Sequence, residues 1–186
     1  MTPEDHILAA LWDMGITPQR FPETRNTPKR IAKMWKDEFF ASIDTEYTDF
    51  ALSYNERDYS QIIHFPKIHF VSCCAHHLLP FSGDAHLLYI PGKNLVGASK
   101  PSRLIEHYSK RPQLQETLTH DIIECFEKWV IPLGTMVVLF GQHDCMSCRG
   151  VKQKDAGMVT SAVKGVFATE RDMELKGYKL IELAMR

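Results

Sequence analysis

The sequence predicts an α+β fold with an antiparallel sheet, and two observations carry that prediction. Apolar residues at helical spacing open the chain, strand-like runs follow, and further helices, strands and a last helix complete it. Strands and helices that come in separate groups are typical of α+β domains. The length of 186 residues suits one domain, or at most two small ones.

Composition and charge exclude several classes of protein. Hydrophobic residues make up 44% and charged residues 24%, which excludes a disordered chain, a collagen-like repeat and a coiled-coil rod. Twenty-two Lys and Arg against 23 Asp and Glu give a net charge of -1, so we expect no nucleic-acid binding through a basic field. The chain has no apolar run of membrane-spanning length, and its first residues lack the positive charge of a secretory signal. We therefore expect a cytoplasmic protein without membrane contact.

The N-terminal region predicts two helices. Thr2 offers an N-cap before Pro3 at the first helical position, and Gly15 ends the apolar stripe that follows. The second helix is expected to start at residues 26–28, Asn-Thr-Pro. The apolar stripe of this second helix consists of Ile31, Met34, Trp35 and Phe39.

The middle of the chain predicts a loop and two strands. Residues 41–60 are polar and without periodicity, which predicts a connecting loop. Residues 62–73 are rich in β-branched and aromatic side chains, so we expect a strand that is broken at Pro66. Another strand is expected over residues 86–90, where a Pro-Gly pair closes it.

The second half of the chain returns to helical spacing and then to strands. Apolar residues recur at helical intervals, give way to a short continuous apolar run, and return before the C-terminus. The expected elements are helices over residues 104–108 and 114–129, a strand over residues 135–141 with its hairpin partner over residues 158–167, and a helix from about residue 171 to the C-terminus.

The five cysteines follow a pattern typical of metal binding or catalysis. Their odd number argues against a disulfide framework, and a chain of this length does not need disulfides for stability. Four of them lie in two clusters at the ends of predicted strands, and both clusters contain histidine. The clusters are Cys-Cys-Ala-His-His at residues 73–77 and His-Asp-Cys-Met-Ser-Cys at residues 143–148. Cys125, on the apolar face of a helix, is expected to be a buried core residue.

The two clusters together predict a zinc site. Cys74 and His77 are three residues apart, so one turn can direct both at the same ion. A cysteine of the second cluster would complete the three-ligand set of a catalytic zinc site, which keeps its fourth position for water. A structural site would be closed by a fourth ligand, for which Cys148 or Cys73 is available, and spacing alone leaves both forms open.

The first cluster also opens a recognisable motif. Residues 74–81, Cys-Ala-His-His-Leu-Leu-Pro-Phe, resemble the signature Cys-Glu-His-His-Leu-Leu-Pro-Phe of the GTP cyclohydrolase I family. Other blocks agree with that family in order and spacing, over about residues 25–170. They are Thr-Pro-Lys-Arg-Ile-Ala-Lys-Met at residues 27–34, Gly-Ala-Ser-Lys at residues 97–100, Arg103, Arg-Pro-Gln-Leu-Gln-Glu at residues 111–116, and parts of residues 143–151.

The resemblance implies both an activity and an architecture. The implied reaction is hydrolysis of GTP at guanine C8 to 7,8-dihydroneopterin triphosphate and formate, a first step of pterin, folate or 7-deazaguanine synthesis. The implied architecture is a tunnelling fold, with an N-terminal helical region over residues 1–45 and a catalytic domain over residues 46–186. In that fold the sheets of neighbouring subunits are joined, and the family assembles as decamers.

The resemblance further assigns residues to zinc binding, proton transfer, guanine recognition and triphosphate binding. The assigned residues are Cys74, His77 and Cys145 for Zn²⁺; His76 and His143 for proton transfer; Gln115 and Glu116 for guanine; and Ser99, Lys100, Arg103 and Arg149 for triphosphate, joined by Arg30 from a neighbouring subunit.

Elementary chemistry supports these roles. Guanine C8 is only weakly electrophilic, so adding water there requires an activated nucleophile, and zinc lowers the pKa of bound water toward ~7. Histidine titrates near neutrality and therefore suits the proton transfers. The Glu116 carboxylate could accept hydrogen bonds from guanine N1–H and the N2 amino group, whereas adenine would leave it unpaired.

The residues assigned to these roles also have simpler, non-catalytic interpretations. His76 could be only a neighbour of the metal, Glu116 an exposed acid in a first helical turn, and the cations solvated surface charge. Two positions depart from the family pattern: Ala75 stands where the signature has Glu, and Cys148 is an additional thiol. A non-catalytic, zinc-stabilised oligomer that binds a purine or a pterin is the alternative function.

Overall fold

A computed structural model describes residues 1–186 and has the α+β architecture that the sequence predicts. The helices are α1 (Pro3–Asp13), α2 (Thr27–Met34), α3 (Lys100–Ser109), α4 (Gln115–Val130), α5 (Asp144–Ser147), α6 (Val166–Thr169) and α7 (Arg171–Met185). The strands are β1 (Leu52–Tyr54), β2 (Ile63–Cys74), β3 (Pro80–Ile90), β4 (Asn94–Val96), β5 (Pro112–Gln113), β6 (Gly134–His143) and β7 (Gly157–Gly165). None of the helices is both long enough and apolar enough to cross a membrane.

The N-terminal helices form where their caps predict. The Thr2 hydroxyl accepts a hydrogen bond from Asp5 N at 3.2 Å, and Thr2 N donates to Asp5 Oδ2 at 2.6 Å. This reciprocal pair satisfies two backbone donors that would otherwise be free at the start of α1. No residue of α1 is buried, and its side chains Leu8 and Trp12 are 42% and 51% exposed. The apolar face of α1 is therefore only partly covered within the chain, where α1 contacts α2.

The main sheet has the strand order β5-β2-β3-β6-β7. Strands β2, β3, β6 and β7 are antiparallel to their neighbours, and the short β5 runs parallel to the end of β2. Residues 63–72 of β2 have a partner strand on one side only, and β7 pairs with β6 alone. Both outer edges of the sheet thus offer unpaired backbone groups to a further strand.

Helices cover both faces of this sheet because residues along the central strands alternate between them. On one face, α3 and α4 enclose the larger core, in which the fully buried Phe81, Leu87, Ile122 and Phe126 take part. On the other face, Leu88, Met136, Phe167 and Ile181 form a smaller core against α6 and α7. Cys125 lies in the larger core, as the sequence predicts.

The structure corrects four expectations at element boundaries. The segment 41–60 is not entirely a loop, because it contains β1, which pairs with β4. Strand β2 is not broken at Pro66; its register with β3 shifts between Phe65 and Ile68, so a bulge accommodates the proline. Strand β3 begins six residues earlier than expected, at Pro80, and β7 ends at Gly165, since the last two expected strand residues start α6.

Candidate active site

The two cysteine-histidine clusters meet at one end of the sheet. Cys74 is the last residue of β2, and a tight turn leads from it into β3, held by a hydrogen bond from Leu78 N to Cys74 O at 2.8 Å. Leu78 closes that turn in the left-handed region, at φ 51°. Phe81 of β3 pairs with His143 of β6, so the second cluster begins directly beside the first. Sheet register therefore joins segments about 70 residues apart in sequence.

Three side chains at this point form a group able to hold a metal ion. The ligand atoms of Cys74, His77 and Cys145 all lie within 4.8 Å of one another, and the two Sγ atoms are 4.0 Å apart. Two thiolates on one tetrahedral zinc ion are separated by about 3.8 Å, given a Zn–S bond of about 2.3 Å. The donor set and its spacing thus fit a zinc ion. Cys73 and Cys148 are not in the group, which leaves it with three ligands.

The surroundings of the Cys145 thiol favour its protonated form. Burial, followed by the nearby Cys74 thiol, raises the pKa of Cys145, while the positive charge of Arg149 acts in the opposite direction. A raised pKa makes the thiolate costly to form when no cation is present. A divalent ion reverses this cost, because it binds the deprotonated thiol.

In metal-free protein, Cys74 and Cys145 are expected to form a disulfide. With their Sγ atoms already 4.0 Å apart, Cys74 and Cys145 need only a small movement to bond. Dissolved oxygen would take up the two electrons, and each thiol would release one proton. Mass spectrometry of unreduced peptides from chelator-treated, air-exposed protein should detect the Cys74–Cys145 link. Metal-loaded protein is the control, and two free thiols in aged metal-free protein would contradict the expectation.

Two histidines flank the metal-ligand group. His76 lies exposed in the turn after β2, with its Nδ1 3.9 Å from Cys74 Sγ. His143 ends β6, where its ring stacks on the fully buried Phe81 with a centroid distance of 4.5 Å and an interplanar angle of 1°. Burial lowers the pKa of His143, against the opposing influence of the Glu116 carboxylate. Burial therefore favours the neutral form of the His143 imidazole.

The start of α4 brings two predicted residues to the same place but exposes only one of them. Glu116 is exposed, and its charge raises the pKa of His143, so its carboxylate lies on the His143 side of the site. Gln115 is completely buried, and both ends of its carboxamide are hydrogen-bonded within the chain. The two neighbours therefore occupy different environments, although the sequence predicts one shared role for them.

The predicted phosphate-binding side chains lie at the start of α3. Lys100 Nζ is 2.6 Å from Asp49 Oδ1, and Arg103 Nη1 is 3.4 Å from Asp49 Oδ2. The hydrogen bond from Lys100 is the main reason that the pKa of Asp49 is lowered. Ser99 is exposed as the N-cap of α3, and its hydroxyl makes no capping hydrogen bond. Asp49 was not predicted, because it lies in the unpatterned segment 41–60, where no local signal distinguishes it.

The two remaining cations lie apart from this pair. Arg149 follows α5 and is exposed, close enough to Cys145 for its charge to affect that thiol. Arg30 is exposed on α2. It makes no ion pair with any residue of the chain, so its guanidinium is available to another molecule.

Comparison with known proteins shows what the chain is similar to. A family model described as GTP cyclohydrolase I matches residues 4–182. GTP cyclohydrolase 1 of Thermoanaerobacter pseudethanolicus is 41% identical over 156 residues, which are 83% of this chain and 82% of that protein. GTP cyclohydrolase 1 of Carboxydothermus hydrogenoformans is 42% identical over 146 residues, 78% of this chain and 76% of that protein. The solved archaeosine synthase QueF-like structure has a TM-score of 0.45 at 17% identity, over 56% of this chain and 93% of that chain.

A match along nearly the whole chain, at about 40% identity, includes both strand ends that carry the metal-ligand group and the start of α4 beside them. The chain therefore belongs to the GTP cyclohydrolase I family.

Proposed function

We propose that this protein is a zinc-dependent GTP cyclohydrolase, which hydrolyses GTP at guanine C8 and yields 7,8-dihydroneopterin triphosphate and formate. One observation carries the proposal: a three-donor metal-ligand group lies beside two histidines and close to an exposed carboxylate. Those residues are Cys74, His77 and Cys145 with His76, His143 and Glu116. Metal, proton carriers and a guanine acceptor are the three groups that this reaction requires.

Zinc is the metal that the donor set favours. Two thiolates and one imidazole suit a borderline-soft ion, and three protein ligands are the number found in catalytic zinc sites. When bound, zinc would supply a Lewis acid that lowers the pKa of a coordinated water molecule toward ~7. Cys74, at the end of β2, and Cys145, in α5, would hold it from two different strand ends.

The two histidines are proposed to move protons. His143, neutral and held against Phe81, would accept a proton as water adds to C8. His76, exposed in the turn, would donate to a ring nitrogen as its bond to C8 breaks. Two C–N bonds of C8 must break before formate leaves, so protons have to be supplied twice. Two imidazoles beside one metal-ligand group suit that sequence.

Glu116 is proposed to recognise guanine. Its exposed carboxylate at the start of α4 would accept hydrogen bonds from N1–H and from the N2 amino group. Adenine offers no donor at N1, so it would leave the carboxylate without that partner.

Removing the Glu116 carboxylate is expected to lower kcat/KM for GTP by roughly 30-fold or more, or about 2 kcal/mol, because both guanine donors lose their acceptor. Steady-state kinetics of Glu116→Ala and of the isosteric Glu116→Gln would measure the effect. Glu56→Ala removes an exposed acid elsewhere and should behave like the wild type. Unchanged GTP kinetics in both Glu116 variants, without any gain in ATP or ITP turnover, would rule out this role.

The triphosphate is proposed to bind at the start of α3. Lys100 and Arg103 supply positive charge there. Ser99 offers a hydroxyl that makes no capping hydrogen bond to the helix. Both cations share Asp49, which neutralises part of their charge. Arg149, from beside the metal-ligand group, and Arg30, from a neighbouring subunit, would complete the phosphate site.

Oligomerisation is proposed to follow from the free edges of the sheet. Strand β7 and most of β2 each have one open edge, and joining them between copies would satisfy their backbone groups. The uncovered apolar side chains of α1 provide a second contact surface. We infer a decamer by similarity to the family, and light scattering coupled to size-exclusion chromatography would measure the mass.

The proposed activity has a direct test. Purified zinc-loaded protein incubated with GTP should release formate and give a product that becomes a fluorescent pterin after oxidation. ATP is the matched control and should give neither signal. Binding of GTP without formate release, at saturating substrate and full zinc occupancy, would instead support the non-catalytic purine- or pterin-binding oligomer.

A further inference from the structure

Gln115 is the first residue of α4, and its buried carboxamide is held by the sheet below it. Its Nε2 lies 3.2 Å from Leu139 O, 3.0 Å from Met158 O and 3.1 Å from Thr160 Oγ1. Backbone carbonyl oxygens only accept hydrogen bonds, so the NH₂ end of the amide must face the two strands. Its oxygen must consequently face the other way, toward His143.

That oxygen determines which ring nitrogen of His143 carries hydrogen. Gln115 Oε1 lies 3.0 Å from His143 Nε2, and an amide oxygen can only accept. Nε2 must therefore be protonated, and in a neutral imidazole the other nitrogen, Nδ1, is then left with its lone pair. The backbone of β6 and β7 thus sets the tautomer of His143 through a single side chain.

We propose that Gln115 is a positioning residue, which holds His143 in the Nε2–H tautomer and leaves Nδ1 as its proton-accepting atom, and that its side chain does not contact guanine. The proposal rests on the proposed function of His143 in proton transfer. It differs from the role that the resemblance assigns to Gln115, which Glu116 would fill alone.

Packing around Gln115 supports this role. The side chain has no exposed surface, and each end of its amide is hydrogen-bonded within the chain, so burial closes the carboxamide to a base. Gly141 of β6 permits the close approach, because a Cβ at that position would collide with Gln115 Oε1. Phe81 restrains the same imidazole by stacking on its face. The plane of the His143 ring is therefore held by Phe81, and the position of its protonated nitrogen by Gln115.

Kinetics should distinguish positioning from guanine binding. Gln115→Met keeps the length and burial of the side chain but removes the acceptor, so kcat should fall by about 10²-fold, the lower range for general acid–base catalysis. KM for GTP and zinc content should stay near wild-type values. Thr160→Val is the matched control: it removes one acceptor of the amide and leaves both carbonyls, so kcat should change little. A raised KM with unchanged kcat would overturn the proposal.

A double-variant comparison tests whether Gln115 acts through His143. In a His143→Ala background, Gln115→Met should alter neither the residual rate nor the equilibrium Kd for GTP. A tenfold or greater loss of GTP affinity in that background would identify a guanine contact and overturn the proposal.

A spectroscopic measurement needs no variant at position 115. Solid-state NMR of zinc-loaded protein with ¹⁵N-labelled histidine should show His143 with a protonated Nε2 and an unprotonated Nδ1, its signals being identified by their loss in His143→Ala. A dominant Nδ1–H tautomer would overturn the proposal even if Gln115→Met fails to fold. Failure of the proposed enzymatic function can be told apart from failure of this proposal, because the wild-type protein would then release no formate.

Discussion

Replacing Cys145 with serine is expected to remove stoichiometric zinc and to abolish GTP turnover while the fold is retained. Cys145 would supply one of only three protein ligands, and a serine hydroxyl is a poor substitute for a thiolate. The residue is only partly buried, in the short helix α5 after β6, so exchanging sulfur for oxygen costs little packing. Metal analysis, circular dichroism and the formate assay would measure the three outcomes.

Cys148→Ser is the matched control for this experiment. The thiol is three residues further along, exposed, and not in the metal-ligand group, so its loss should leave zinc content and turnover unchanged. A Cys145→Ser protein that holds one equivalent of zinc with native affinity would show that the ligand assignment is wrong. Loss of zinc in both variants would instead indicate that Cys148 is a fourth ligand.

Mixing two inactive variants is expected to restore activity, because Arg30 and His143 would serve one pocket from different subunits. Within the chain, Arg30 is exposed and without an ion-pair partner, whereas Lys100 and Arg103 already share Asp49. A triphosphate therefore needs further positive charge. In a random equal mixture of Arg30→Ala and His143→Ala subunits, about one quarter of the pockets would be complete, so about one quarter of the wild-type rate should return.

The control mixture pairs His143→Ala with Cys145→Ser. Cys145 belongs to the metal-ligand group and His143 lies two residues before it in the same chain, so no arrangement of these two subunits makes an intact pocket. This mixture should remain inactive. Wild-type subunits taken through the same dissociation and reassembly must recover their rate. If hybrids verified by native mass spectrometry are inactive while the wild type recovers, the shared-pocket proposal fails.

The fold was predictable where the signal is local. Thr2, Pro3 and Gly15 mark α1 because capping and left-handed geometry depend on neighbouring residues alone. Apolar periodicity likewise predicted α4 and α7, whose faces pack on the sheet. Strand β1 was missed because three residues carry no periodicity, and its pairing with β4 joins segments about 40 residues apart.

For the candidate site, the sequence by itself determined the chemistry that is available. Cysteine and histidine at two strand ends indicated a metal group, and the fold brings Cys74, His77 and Cys145 within 4.8 Å of one another. Only the tertiary structure decided what surrounds each group. Asp49 reaches Lys100 and Arg103 from an unpatterned segment, and the two adjacent residues Gln115 and Glu116 separate into a buried and an exposed one. The physical reason is that burial and hydrogen-bond partners depend on how distant strands approach. Gln115 reaches His143 at a place where Gly141 has no side chain to collide with the Gln115 amide oxygen.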